Sequence, residues 1–121
     1  GGFLFPADEY TDRPVKFLIA ETVREKALLF LQDEIPHGVG VSVRQVDESA
    51  QPIRISCDVI VDKQSHKQIA IGDGGEMIKR IGQSARRDIE RMLGESVYLE
   101  LFVKVRTGWR DRSDILKDIG Y

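Results

Sequence analysis

The apolar residues of this chain fall into two kinds of repeat. Ile19, Val23, Ala27 and Phe30/Leu31 recur at spacings of four, four and three to four. That stripe predicts an amphipathic helix over 14–33. Thr11 and Asp12 offer capping oxygens, Pro14 suits the first turn, and Pro36 closes the segment. Beyond it the period drops to two. Val39, Val41 and Val43 alternate with Gly40, Ser42 and Arg44, predicting a strand over 39–47. Ile53, Ile55, Cys57, Val59 and Val61 alternate with Arg54, Ser56, Asp58, Ile60 and Asp62, a longer strand with one buried face. The stretch between them, Asp47 to Pro52, is polar and short, so the two strands form an antiparallel hairpin.

The helical period then returns. A short helix is expected over 65–71, followed by Gly72-Asp73-Gly74-Gly75. A longer helix over 76–93 is marked by Met77, Ile78, Ile81, Ala85, Ile89 and Met92/Leu93. Gly82 would kink or split it, and Gly94 is placed to cap it. Val97, Leu99, Leu101, Val103 and Val105 alternate with Tyr98, Glu100, Phe102, Lys104 and Arg106 as a third strand. A last short helix is expected over 113–119. The order α-β-β-α-α-β is an α+β fold, a three-stranded sheet covered by helices on one face. Residues 1–13 read as an incoming linker, 14–107 as the domain and 108–121 as a C-terminal extension.

Composition narrows the function. In 121 residues, 41% hydrophobic and 31% charged, there is material for one domain with a buried core and no case for wholesale disorder. No apolar run approaches the ~18 residues of a membrane span. The start, Gly1 to Pro6, lacks the basic region of a signal peptide. A single cysteine, Cys57, excludes internal disulfides and a cysteine-rich zinc site. On the apolar face of a strand it reads as core packing, not as a nucleophile. His37 and His66 stand 29 positions apart, and no carboxylate pair is placed for acid–base work. The expectation is a chain with no catalytic residues, no metal ligands and no cofactor of its own.

The net charge of −2 argues against a nucleic-acid partner, but its distribution does not. Residues 1–50 hold five Lys/Arg against nine Asp/Glu, whereas residues 63–91 hold seven against four. The positive stretch coincides with the glycine cluster. Five residues after Gly72 stands Met77, so the cluster is neither a Walker A loop, which needs Gly-Lys there, nor the third glycine of a dinucleotide fingerprint. What remains is G-x-x-G between two helices, flanked by Ile71 and Ile78. Glycines there let the backbone lie against a phosphodiester chain, and the following helix adds free N–H groups and its positive end. Lys79 and Arg80 lie one turn on. The bland alternative is a tight helix–helix turn that needs positive φ. His66 reads as a surface residue beside the loop, and Trp109 as packing for the tail or a platform for a base.

The run Ile69-Ala70-Ile71-Gly72-Asp73-Gly74-Gly75-Glu76-Met77-Ile78-Lys79-Arg80-Ile81-Gly82 resembles the signature of a type 2 KH domain. Further blocks are Thr11-Asp12-Arg13-Pro14, Ala20-Glu21 with Arg24-Glu25-Lys26, Ile35-Pro36-His37, Val97 to Leu101 with Val103-Lys104-Val105, Gly108-Trp109-Arg110-Asp111 and Gly120-Tyr121. In this order they resemble the C-terminal part of the Era family of bacterial GTPases, from about Phe5 onward. The resemblance implies an N-terminal GTPase domain, absent from this chain, that takes GTP and Mg. It implies a monomeric protein of small-subunit (30S) ribosome assembly, cytoplasmic and peripherally associated with the inner membrane. Its KH domain would hold the 3′ end of 16S rRNA, the anti-Shine-Dalgarno region, as single-stranded RNA. Carried over by position, Gly72, Asp73, Gly74 and Gly75 would clamp the RNA backbone. Ile71 and Ile78 would help floor a groove, with Lys79 and Arg80 beside it. One departure stands out: Asp73 places an acid where the family carries Lys or Asn, which should weaken binding. A protein-interaction or regulatory domain with weakened RNA affinity is the alternative, and a nucleotide-binding enzyme fragment a distant third.

Overall fold

The structure, a computed structural model, describes residues 13–35 and 38–112. Thr11, Asp12, Pro36, His37 and the helix expected over 113–119 lie outside the described residues. The elements are α1 (Arg13–Leu31), β1 (Gly40–Asp47), β2 (Ile53–Val61), α2 (Gln64–Ile71), α3 (Glu76–Leu93) and β3 (Val97–Val105). Single 3₁₀ turns occupy Asp73–Gly75 and Trp109–Asp111. The order is the α-β-β-α-α-β of the sequence pattern, and α3, β2 and β3 have the expected bounds.

The three strands form one mixed sheet in the order β1-β2-β3. β1 and β2 pair antiparallel, as a short hairpin connection dictates. β3 pairs parallel to β2, from Ile53 beside Val97 to Val61 beside Val105. A parallel partner needs a long crossover, and α2 and α3 supply it. Ile53, Ile55, Cys57, Val59 and Val61 are all buried under the helices. Burial pushes the Cys57 thiol up to about 12, with the neighbouring Asp58 carboxylate adding to the shift. It is inert as a nucleophile.

α1 packs on α3 and β1, α3 on β3, and α2 on α3 and β3. The stripe Ile19, Val23, Ala27 and Leu31 is buried against Ile81, Ala85, Ile89 and Leu93 of the same core. At the rim of this contact Lys26 Nζ lies 2.8 Å from Asp88 Oδ2. The hydrogen bond raises the Lys26 pKa and lowers that of Asp88, so each favours the charged form of the other.

Four features depart from the pattern. α1 ends at Leu31, two residues early, where the Glu34 and Ile35 amides both donate to the Leu31 carbonyl. The β1 register slips between Val43 and Gln45, leaving Arg44 as a bulge. That one extra residue turns Val46, and not Gln45, into the core, and Arg44 Nη1 reaches Asp58 Oδ2 at 3.3 Å. Asp58 and Ile60, expected on an open face, are buried as well. Gly82 neither kinks nor splits α3, which runs unbroken to Leu93 and is capped by Gly94 donating to the Glu90 carbonyl.

Candidate nucleic-acid interface

The loop between α2 and α3 is built from glycine geometry. Gly72 donates to the Gln68 carbonyl and ends α2. Its own carbonyl accepts from the Gly75 amide at 3.1 Å. Gly72, Gly74 and Gly75 have φ of 77°, 60° and 77°, and no residue other than glycine has positive φ among those described. A β-carbon added at Gly72 would sit 2.7 Å from Met77 Cβ, whereas one added at Gly74 or Gly75 would meet nothing within 4 Å. The three glycines therefore do different work. Gly72 is required by the packing of the loop on α3. Gly74 and Gly75 turn the chain and leave bare backbone facing open space at the start of an 18-residue helix.

A groove of about 320 Å³ opens next to this loop, between α3 and β3. α3 lines it with Ile78, Lys79, Gly82, Gln83 and Arg86, and β3 with Tyr98, Leu99 and Leu101. β3 is an edge strand, so the side away from β2 has no strand partner among the described residues. Its outward backbone groups stand beside the groove. Gly82 sits one turn after Ile78, and a β-carbon there would lie 3.7 Å from Leu101 Cδ1. Any larger side chain would occupy the space between helix and strand, which accounts for a glycine in an unkinked helix.

The structure separates the residues singled out from the sequence. Ile78 and Lys79 line the groove, and Gly72 to Gly75 lie outside the lining, in the loop that leads into α3 three residues before Ile78. Lys79 is exposed and has no ion-pair partner among the described residues. Ile71 is half-buried against the core and is not part of the lining. Arg80 turns the other way, its guanidinium 5.0 Å from the centre of the Phe30 ring on α1. Asp73 is exposed, and no side-chain hydrogen bond caps either the 3₁₀ turn or α3, so its carboxylate is not committed to the helix start. His66 is half-buried on α2 and away from the groove lining. Trp109 is buried, which favours packing over base stacking. Among the described residues, it and Ile60 are the buried apolar residues outside the main core cluster.

The groove residues missed by the sequence reading, Gly82, Gln83, Arg86, Tyr98, Leu99 and Leu101, come from two distant segments. Their signal was the glycine at helical spacing from Ile78 on the face turned toward a strand. Among the described residues no group of histidine, cysteine and carboxylates could hold a metal ion, and no helix is long and apolar enough to cross a membrane.

Residues 34–110 match the model of the KH domain in its type 2 form. The chain belongs to the KH domain family. The chain is also 47% identical over 117 residues to GTPase Era of Caldanaerobacter subterraneus subsp. tengcongensis, a match that covers 94% of this chain and 39% of that protein. It superposes on an Aquifex aeolicus Era variant bound to GDP·AlF4⁻ with a TM-score of 0.83, at 40% identity and over 100% of this chain. It is equally similar, with the same score, identity and coverage, to Era in complex with MgGDPNP and nucleotides 1506–1542 of 16S ribosomal RNA. The chain spans about two fifths of the length of these relatives.

Proposed function

We propose that this KH domain binds single-stranded RNA, and that its ligand is the 3′ end of 16S rRNA, the anti-Shine-Dalgarno region, during 30S subunit assembly. The observation that carries the reading is the open space over Gly74 and Gly75 beside a groove walled by an edge strand. Bare backbone at a helix start suits a phosphate chain, and Lys79 adds the opposite charge. Bases turned into the groove would meet Ile78 and Leu101, with Gln83 and the free edge of β3 to read their edges. Phosphate contacts supply affinity and groove contacts supply sequence preference. No covalent step is asked of this domain. The reading has it act as part of an Era-like GTPase, with residues 1–13 as the linker from the GTP- and Mg-binding domain, 14–107 as the KH domain and 108–121 as an extension. It places the whole protein in the cytoplasm as a monomer, with peripheral attachment to the inner membrane. The resemblance to Era is what supports these last points.

Titration with a short RNA carrying CCUCC, beside a scrambled one, tests the reading. Preferential binding that weakens with salt is expected. Two to three phosphate contacts at ~0.7 each predict a log–log salt slope of about −2. No binding, or binding indifferent to salt, overturns it.

Exposed Asp73 favours the second reading, a protein-interaction domain whose RNA affinity has been reduced. Its charge has the wrong sign for a loop that approaches phosphate, and no cap hydrogen bond holds it elsewhere. Asp73→Lys replaces repulsion by attraction, limited by exposure and by screening over ~10 Å at 0.1 M salt. The expected gain is about tenfold in RNA affinity at low salt, shrinking as salt rises, with the melting temperature unchanged. An affinity that stays the same in this variant removes Asp73 from the interface.

A further inference from the structure

We propose that the solvent face of α3 is a second RNA contact, an arginine track that holds the phosphodiester backbone of the strand continuing beyond the groove. The inference rests on the RNA-binding reading above. Arg80, Arg87 and Arg91 stand seven and four residues apart, which aligns them on one face over about 16 Å of helix. All three are exposed. Arg87 has neither an ion-pair nor a hydrogen-bond partner among the described residues. The side chain of Arg91 is 74% exposed and meets Asp88, whose other oxygen is already held by Lys26. Glu90 is occupied too: Arg86 Nη1 lies 3.0 Å from one oxygen, and the Val97 amide donates to the other. Asp88 and Glu90 are thus engaged, Arg80 rests its guanidinium 5.0 Å from the centre of the Phe30 ring, and the Arg87 charge faces solvent.

Shape and continuity point to a polyanion and not to a protein. Arg87 and Arg91 line an open hollow of about 500 Å³ at the end of α3, together with Glu90, Gly94, Glu95 and Ser96. It contains no apolar side chain that a protein partner could cover. It begins one residue past Arg86, where the groove lining on α3 ends. Length supplies the rest of the argument. A KH loop clamps about four nucleotides. Nucleotides 1506–1542, the RNA in the similar Era complex, number 37. An RNA of that size leaves most of its phosphates outside the groove, and a guanidinium is well suited to them.

The test compares Arg87→Gln/Arg91→Gln with the unaltered protein on three probes, the short CCUCC RNA and the same RNA extended by about 20 nucleotides at its 5′ end or at its 3′ end. The unaltered protein should bind one extended RNA more tightly. The double variant should keep its affinity for the short RNA within twofold and lose about fivefold on that extended one. Its salt slope on that probe should be shallower by about 1.4, for two single-strand phosphate contacts. Arg87→Lys/Arg91→Lys should restore most of the loss. Equal loss on the short RNA and that extended one, or none on either, overturns the track. Failure of the unaltered protein to bind the short RNA would instead overturn the RNA-binding reading itself.

Discussion

Gly75→Asp should abolish RNA binding, by more than a hundredfold, while the far-UV circular dichroism spectrum stays that of the unaltered domain. The two halves of this result have separate causes. A β-carbon at Gly75 meets no protein atom within 4 Å, so nothing in the fold is displaced. The cost to folding is the left-handed conformation itself, φ 77° and ψ 13°, about 1–2 kcal/mol for an L-residue and less for aspartate. A domain of this size would lose about 4–8 °C per kcal/mol. Binding suffers far more, because the side chain fills the space in which the RNA backbone would lie and brings a second negative charge beside Asp73. Gly75→Ala separates the two contributions: it fills the same space without charge and should fall between. Full RNA affinity in folded Gly75→Asp would move the phosphate chain away from this loop.

The glycine loop and the groove were unequally legible in the sequence. A period-two pattern states which residues share a face, so β2 and β3 emerged with their true bounds and with Cys57 inside. It is silent on pairing partner and direction. Nothing in Val97 to Val105 says that this strand lies parallel to β2 at an edge, and only that placement creates a groove beside α3. Alternation also fails where a strand is covered on both faces. Asp58 and Ile60 occupy outward positions and are nevertheless buried, Asp58 with Arg44 reaching it from the bulge.

The clamp was legible because its chemistry is local. Three glycines within four residues can be read from the sequence, and in the structure all three have positive φ. The groove was not, because Gly82 and Leu101 become neighbours only when helix and strand are assembled. In the sequence Gly82 marks a kink or split in a helix, which is the local meaning of a glycine there. Its tertiary meaning is space. Arg80 shows the converse. Its neighbour Lys79 faces the groove, and a step of one residue around α3 carries Arg80 to the ring of Phe30.

Gly72→Ala should be the most damaging single-methyl change in the loop, lowering stability by about 2–4 kcal/mol. At φ 77° and ψ 173° Gly72 occupies a region that is nearly exclusive to glycine. Space compounds the strain. The new β-carbon would lie 2.7 Å from Met77 Cβ and 2.8 Å from the Met77 backbone nitrogen. A flexible side-chain tip could move aside, but a backbone nitrogen in the first turn of α3 moves only with the helix. Met77 and the residues after it are packed on the core, so the relief must come from opening the α2–α3 turn. Thermal unfolding of Gly72→Ala beside Gly75→Ala is the informative measurement. The two changes add the same methyl group three residues apart, at the same φ but at ψ of 173° and 13°. Gly75→Ala adds strain without a clash and should cost about 1–2 kcal/mol, the left-handed penalty alone. A melting temperature for Gly72→Ala well below that of Gly75→Ala assigns Gly72 to the architecture and Gly75 to the ligand. Equal melting temperatures would mean that the Met77 contact yields freely and that the loop glycines share one role.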